Sequence, residues 1–143
     1  TNVPGWRTDL ASKRMDEILD TVGYGANGGV KLDGILSPAD CLSDGIIFTL
    51  KKKGYTPSNI PVITGQDATA EALQNVKEGY QAMTIYKSRD DLHDAVIDMI
   101  RSISSGKKAN INDTTTYNNG VKDMDSFPCS PELIDRSNLA KLL

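Results

Sequence analysis

The sequence predicts an α/β layered domain with a parallel sheet. Two observations carry that reading. Apolar spacing switches repeatedly between a helical period and short continuous runs. The resulting order, helix-strand-helix-strand-helix-strand-helix, requires each crossover helix to return the chain to the same end of the sheet, so the strands run parallel. The 143 residues are 38% hydrophobic and 24% charged, with 16 Lys+Arg against 19 Asp+Glu. A chain of this size buries roughly two-thirds of its unfolded surface, enough for a packed core without metal or disulfide staples. The net charge of -3 and the single short basic run, Lys51-Lys52-Lys53, argue against a nucleic-acid partner, which needs clustered cations on one face. No apolar run approaches a membrane span, and the opening residues lack a secretory signal, so any export information is expected outside this chain.

The first helix is expected after Thr8 and Asp9, either able to cap it, with Ala11, Met15, Ile18 and Val22 on one stripe. It stops in Gly23-Tyr24-Gly25-Ala26-Asn27-Gly28-Gly29, a surface turn rather than a phosphate cradle, since no strand leads into it and no helix follows it. Gly34-Ile35-Leu36-Ser37 reads as a short buried strand halted by Pro38. A second helix begins near Asp40 and turns Leu42, Ile46, Ile47 and Leu50 inward, with three lysines in its last turn, where they suit the helix dipole. Pro61-Val62-Ile63-Thr64 is the second strand, followed by Gly65-Gln66-Asp67 and a third helix carrying Ala72, Leu73 and Val76 to the core. Ala82 to Tyr86 is the third strand. A fourth helix places Leu92, Val96, Met99 and Ile103 at helical spacing, with Asp90 and Asp91 at its start and Gly106 past its end. Beyond Asn110 the pattern becomes Thr-rich and Asn-rich, with extended segments at 113–117 and 121–127 and a proline-bounded tail.

Ligands of open parallel sheets bind beyond the carboxyl ends of the strands, where the βα loops converge. Those loops carry Pro38-Ala39-Asp40, Gly65-Gln66-Asp67 and Lys87-Ser88, and Trp6 stands near the first helix start. Two carboxylates, an amide, an ammonium and an indole face suit a small neutral hydroxylated molecule: carboxylates accept hydroxyl hydrogen bonds, the ammonium donates, and the indole covers a C–H face. Each residue also has a purely structural reading. Asp67 caps the third helix and pairs with Lys87, Asp40 is a helix cap, Trp6 packs under the first helix, and Gln66 shapes its turn. Catalytic patterns are missing: there is no Ser/His/Asp arrangement, no GxSxG and no cysteine with a suitable base. His93 reads as a solvent-facing helix residue, and Cys41 and Cys129, far apart and without a CxxC, as unpaired buried thiols in preference to a disulfide or zinc site.

The same loops carry a resemblance. Gly65-Gln66-Asp67-Ala68, Met83-Thr84-Ile85-Tyr86-Lys87 and Thr115-Thr116-Tyr117-Asn118-Asn119-Gly120-Val121-Lys122, together with Gly5-Trp6 and Leu36-Ser37-Pro38-Ala39-Asp40, resemble in order the D-xylose-binding and multiple-monosaccharide-binding proteins of bacterial ABC transporters. The resemblance implies a three-layer Rossmann-like lobe, one half of a type I periplasmic-binding-protein clamshell, with residues 1–143 as the carboxyl-terminal lobe and residues 124–143 as a crossing segment and tail toward an absent amino-terminal lobe. It implies ring stacking by Trp6, hydroxyl recognition by Asp67 and donation by Lys87, with Asp40 a further candidate ligand. It also implies a non-enzymatic binder of xylose or a related monosaccharide without cofactor, partnered by a membrane permease and by the absent lobe. The location would be extracytoplasmic, periplasmic or as a surface lipoprotein, and self-association is expected where the lost hinge exposes apolar surface. Two segments depart from the pattern. Ala39 replaces an asparagine that reaches the sugar, and Phe127-Pro128-Cys129 stands in the third crossing where aliphatic residues are usual. The alternative reading is the sugar-sensing domain of a regulator or of a sensor-kinase partner, which reuses the same clamshell. A sugar-modifying enzyme would need a base from elsewhere.

Overall fold

The computed structural model describes residues 2–142. The chain forms two compact units. One runs to Tyr86 and resumes at Glu132, and the other is Lys87–Pro131.

In the first unit a 3₁₀ turn, Pro4–Trp6, leads into α1, Thr8–Val22. Neither predicted cap is used. Arg7 occupies the N-cap position without a side-chain hydrogen bond, and Asp9, in the first turn, instead pairs with the Arg7 guanidinium at 2.7 Å. That exposed pair holds the Asp9 carboxyl below its ordinary range, chiefly through the hydrogen bond from Arg7. The buried stripe is Ala11, Met15 and Leu19, one turn apart each time, while Val22 is exposed. Gly23 ends the helix in the left-handed region, its N–H returning to the Leu19 carbonyl.

Strand β1, Gly34–Ile35, precedes α2, Asp40–Lys52. Strand β2, Val62–Ile63, precedes α3, Ala70–Glu78, and β3 is Met83–Tyr86. All three strands begin within one residue of the predicted starts. β1 and β2 pair in parallel as expected, and the Ala82 N–H donates to the Ile63 carbonyl at 2.9 Å, carrying the chain from β2 toward β3. The parallel expectation fails in a second two-stranded sheet, which β3 forms with a later segment. Glu132–Asp135, expected only as tail, is a fourth strand, β4, antiparallel to β3 with Thr84 opposite Ile134.

Two apolar clusters hold this unit. Met15 and Leu19 of α1, Ile47 and Leu50 of α2, Tyr55 and Ile63 form the first. Leu73 and Val76 of α3, Ile134 of β4 and Leu139 form the second. Helices α1 and α2 meet through small groups. Ser12 and Thr49 hydroxyls lie 2.8 Å apart, and a Cβ on Gly45 would collide with the Thr8 carbonyl oxygen, so only glycine permits that approach.

Along α2, burial aided by the charges of Asp40 and Glu71 raises the Asp44 carboxyl above its ordinary 3.8, although Asn75 Nδ2 donates to it at 2.9 Å. A raised carboxyl pKa contributes stability that is complete below the unfolded value and is lost as pH rises through the folded one. Asp44→Asn, which keeps an oxygen for Asn75, should therefore stabilise the chain at neutral pH, with the gain vanishing in acid. Urea denaturation at a series of pH values checks this, and an equal effect at every pH would contradict it.

The second unit contains α4, Arg89–Ser104, capped by the Ser88 hydroxyl accepting from the Asp91 N–H. The helix is where the sequence places it, but its apolar stripe is not a buried one: Leu92, Val96 and Ile103 are exposed and Met99 is half-buried. His93 is exposed, as expected. The predicted extended segments appear as single bridges, Asp113 to Ser126 and Asn118 to Asp123, rather than strands. Asx turns order the loop: Asp113 Oδ1 accepts from the Thr115 and Thr116 N–H groups, and Asn119 Oδ1 from those of Val121 and Lys122.

Candidate functional site

The loops that leave β1 and β2 are bound side by side. Ser37 N–H donates to Thr64 Oγ1 at 2.9 Å, and that hydroxyl donates back to the Ser37 carbonyl at 2.9 Å. The Ser43 hydroxyl reaches the Thr64 carbonyl at 2.8 Å, and the Asp40 N–H donates to the Gln66 carbonyl at 2.9 Å.

Asp40 does not stand on the rim. It is 0% exposed, with its carboxylate directed into the unit. Oδ1 accepts from Gln81 Nε2 at 3.0 Å, Oδ2 accepts from the Thr69 N–H at 3.0 Å, and Thr84 Oγ1 donates at 2.9 Å to both oxygens. The expectation of Asp40 as a ligand contact or a cap on its own helix is corrected on these grounds. α2 has Ala39 at its N-cap with no side-chain bond, and the carboxylate is enclosed among residues 29 to 44 positions away. A buried carboxylate is tolerated only when hydrogen-bonded in this way. The space is closed at Gly65, where a Cβ would collide with Asp40 Oδ1 and Gln81 Nε2.

Asp67, by contrast, is exposed on the loop after β2. It does not cap α3, because Thr69 does so, its hydroxyl accepting from the Ala72 N–H at 3.2 Å. Its backbone is unusual. Asp67 has φ 106°, Ala68 φ 51° and Trp6 φ 54°, the only non-glycine residues with positive φ among those described. Each such residue costs on the order of 1–3 kcal/mol, and strain of this kind gathers at ligand sites. At residues 67–69 successive amides are engaged: the Asp67 N–H by the Ile85 carbonyl at 2.8 Å, the Ala68 N–H by Thr84 Oγ1 at 3.2 Å and the Thr69 N–H by Asp40.

Trp6 is 56% exposed, so it is not packed away under α1. Its carbonyl accepts from Cys41 Sγ at 3.4 Å, which brings the 3₁₀ turn to the start of α2. Both cysteines are free and partly buried. Trp6 lines a cavity of about 250 Å³ together with Met15, Ile18, Leu36, Pro38 and Leu42, and it is the only predicted site residue to do so. Lys87 directly follows β3 and is the exposed first residue of the second unit. The first unit therefore sets Trp6 beside the β1 loop and Asp67 on the β2 loop, with Asp40 beneath. Sequence reasoning missed Thr84 and Gln81; a hydroxyl within the third strand and an amide just before it were the available signal.

Residues 1–108 match the family model described as a periplasmic binding protein domain. The chain is 36% identical over 140 residues to the multiple sugar-binding periplasmic receptor ChvE of Rhizobium radiobacter, covering 96% of this chain and 38% of that protein. It is 29% identical over 137 residues to the D-xylose-binding periplasmic protein of Escherichia coli (strain K12), covering 96% and 38%. Among solved structures, an ABC transporter solute-binding protein from Clostridium phytofermentans with bound β-D-glucose superposes with a TM-score of 0.83 at 34% identity, over 96% of this chain and 41% of that one. The chain thus spans less than half the length of these relatives. With an α/β framework, an exposed tryptophan and a strained acidic loop at the strand ends, and a family match across three-quarters of its residues, this chain belongs to the periplasmic binding protein family.

Proposed function

We propose that this chain is the carboxyl-terminal lobe of a non-enzymatic, extracytoplasmic sugar receptor that serves an ABC transporter. Its ligand is a monosaccharide of the aldose class, with xylose one candidate among several: the relatives and neighbours carry names or bound ligands that include multiple sugars, D-xylose and β-D-glucose. The observation that carries the reading is the strained, exposed pair Trp6 and Asp67 at the strand ends of a fold whose relatives bind sugars. Trp6 stacks on the ring, Asp67 accepts from ring hydroxyls and Lys87 donates. Ligand closes two lobes around itself, and the closed form is what a membrane permease distinguishes from the open one.

Tryptophan fluorescence of the two-lobed protein, titrated with xylose, glucose, galactose, arabinose and ribose, tests this. A saturable change with at least one aldose, absent in Trp6→Phe, is the expected result, and a flat trace with all five overturns the reading. The 143-residue chain alone should respond weakly or not at all, since hydroxyls read by the other lobe go unmet at about 1–3 kcal/mol each. Apolar surface exposed at the lost hinge favours self-association of that isolated chain.

A further inference from the structure

We propose that Asp40 and Thr84 are positioning residues for the sugar site: neither touches ligand, and together they hold the turn on which Asp67 stands. The inference rests on the receptor reading above and extends it to residues beneath the contact surface.

The turn at 67–69 adopts a backbone that L residues rarely accept, with φ 106° at Asp67 and 51° at Ala68. Such a conformation persists only where its surroundings over-determine it. Two of its three amides are held by side chains of one buried cluster. Ala68 donates to the Thr84 hydroxyl, and Thr69 donates to the Asp40 carboxylate. Thr84 relays the first of these, because its own proton goes to Asp40 at 2.9 Å. Gln81 is held as donor to both Asp40 and the Met83 carbonyl, at 3.0 Å each, which orients the carboxylate from the strand side.

Stability alone does not explain this cluster. Thr84 and Asp40 are both 0% exposed, and apolar residues of similar volume fill such positions in other strands and helices without the desolvation of a full charge. Valine has the shape of threonine without the hydroxyl. What the polar version adds is a set of directional acceptors aimed at consecutive amides of the Asp67 turn. It is a support for a side chain whose placement decides binding.

The test uses the two-lobed protein, isothermal titration with the aldose that the wild type binds, and a double-mutant cycle against Asp67→Asn. Thr84→Val should weaken binding by about tenfold or more, as loss of a buried hydrogen-bond acceptor and donor does, and Thr84→Ser should restore it to within about twofold. In the Asp67→Asn background Thr84→Val should cost much less, because the turn then carries a weaker contact. Circular dichroism melts establish that each variant is folded. Should Thr84→Val fail to fold, Asp40→Asn takes its place in the same cycle. Wild-type affinity in Thr84→Val, or an equal loss in both backgrounds, overturns the positioning role while leaving the receptor reading intact. A wild type that binds no aldose removes the receptor reading and this inference with it.

Discussion

Replacing Asp67 by alanine in the two-lobed protein is expected to lower sugar affinity by about 10²–10⁴-fold. The estimate follows from the number of bonds lost. In the proposed role the exposed carboxylate on the β2 loop would accept two hydroxyl hydrogen bonds from a bound ring, and hydrogen bonds to charged groups contribute roughly 1.5–3 kcal/mol each. The substitution does not relieve the turn, since alanine is at least as disfavoured as aspartate at φ 106°. Isothermal titration separates the contributions. Asp67→Asn keeps one acceptor oxygen and the side-chain shape, so it should fall between wild type and alanine. Affinity within threefold of wild type in Asp67→Ala would assign the residue to the turn alone and shift the recognition of hydroxyls to other groups.

Leu50→Ala should cost about 2–5 kcal/mol in the stability of the unit that contains it. Leu50 is 0% exposed and packs in one cluster with Met15, Leu19, Ile47, Tyr55 and Ile63, thereby joining α1, α2 and β2. Truncation loses the transfer energy of the removed carbons and leaves a cavity that close-packed neighbours fill only in part. The neighbours here have little freedom to move. Gly45 holds α2 against the Thr8 backbone of α1, and the paired hydroxyls of Ser12 and Thr49 fix the same contact. Urea denaturation followed by far-ultraviolet circular dichroism measures the loss, and a cost under 1 kcal/mol would mean that the α1–α2 contact is loose.

The four helices were legible in the sequence for a local reason. Their apolar residues recur at helical spacing and glycine or serine stops them, so Ala72, Leu73 and Val76 are buried on α3 as the pattern requires and Gly79 ends the helix in the left-handed region. The α4 stripe shows the limit of that signal. Periodicity reports that one face is apolar, not which surface covers it, and Leu92 and Ile103 remain exposed. Strand β4 was missed because Glu-Leu-Ile-Asp offers one alternation and a single buried side chain, Ile134, while its partner strand lies far back in the chain.

The site divides in the same way. That Asp67 and Lys87 fall at loops following strand-capable runs, and Trp6 just before a helix-capable one, is a property of local order along the chain, and the α/β class and family resemblance follow from it. Asp40 belongs to the other category. Its neighbours in sequence place it at a loop, yet the groups that decide its role, Thr69, Gln81 and Thr84, come from 29, 41 and 44 residues away. Local spacing cannot encode a meeting of that kind, because it depends on which strands pair and in what register. By itself the sequence determined the helices, the strand order up to β3 and the chemistry offered at the loops. Only tertiary structure decided that β4 pairs antiparallel with β3 and that one of two candidate carboxylates faces solvent while the other is buried. The physical reason is that hydrogen-bond satisfaction of a buried charge is set by donors gathered from distant segments.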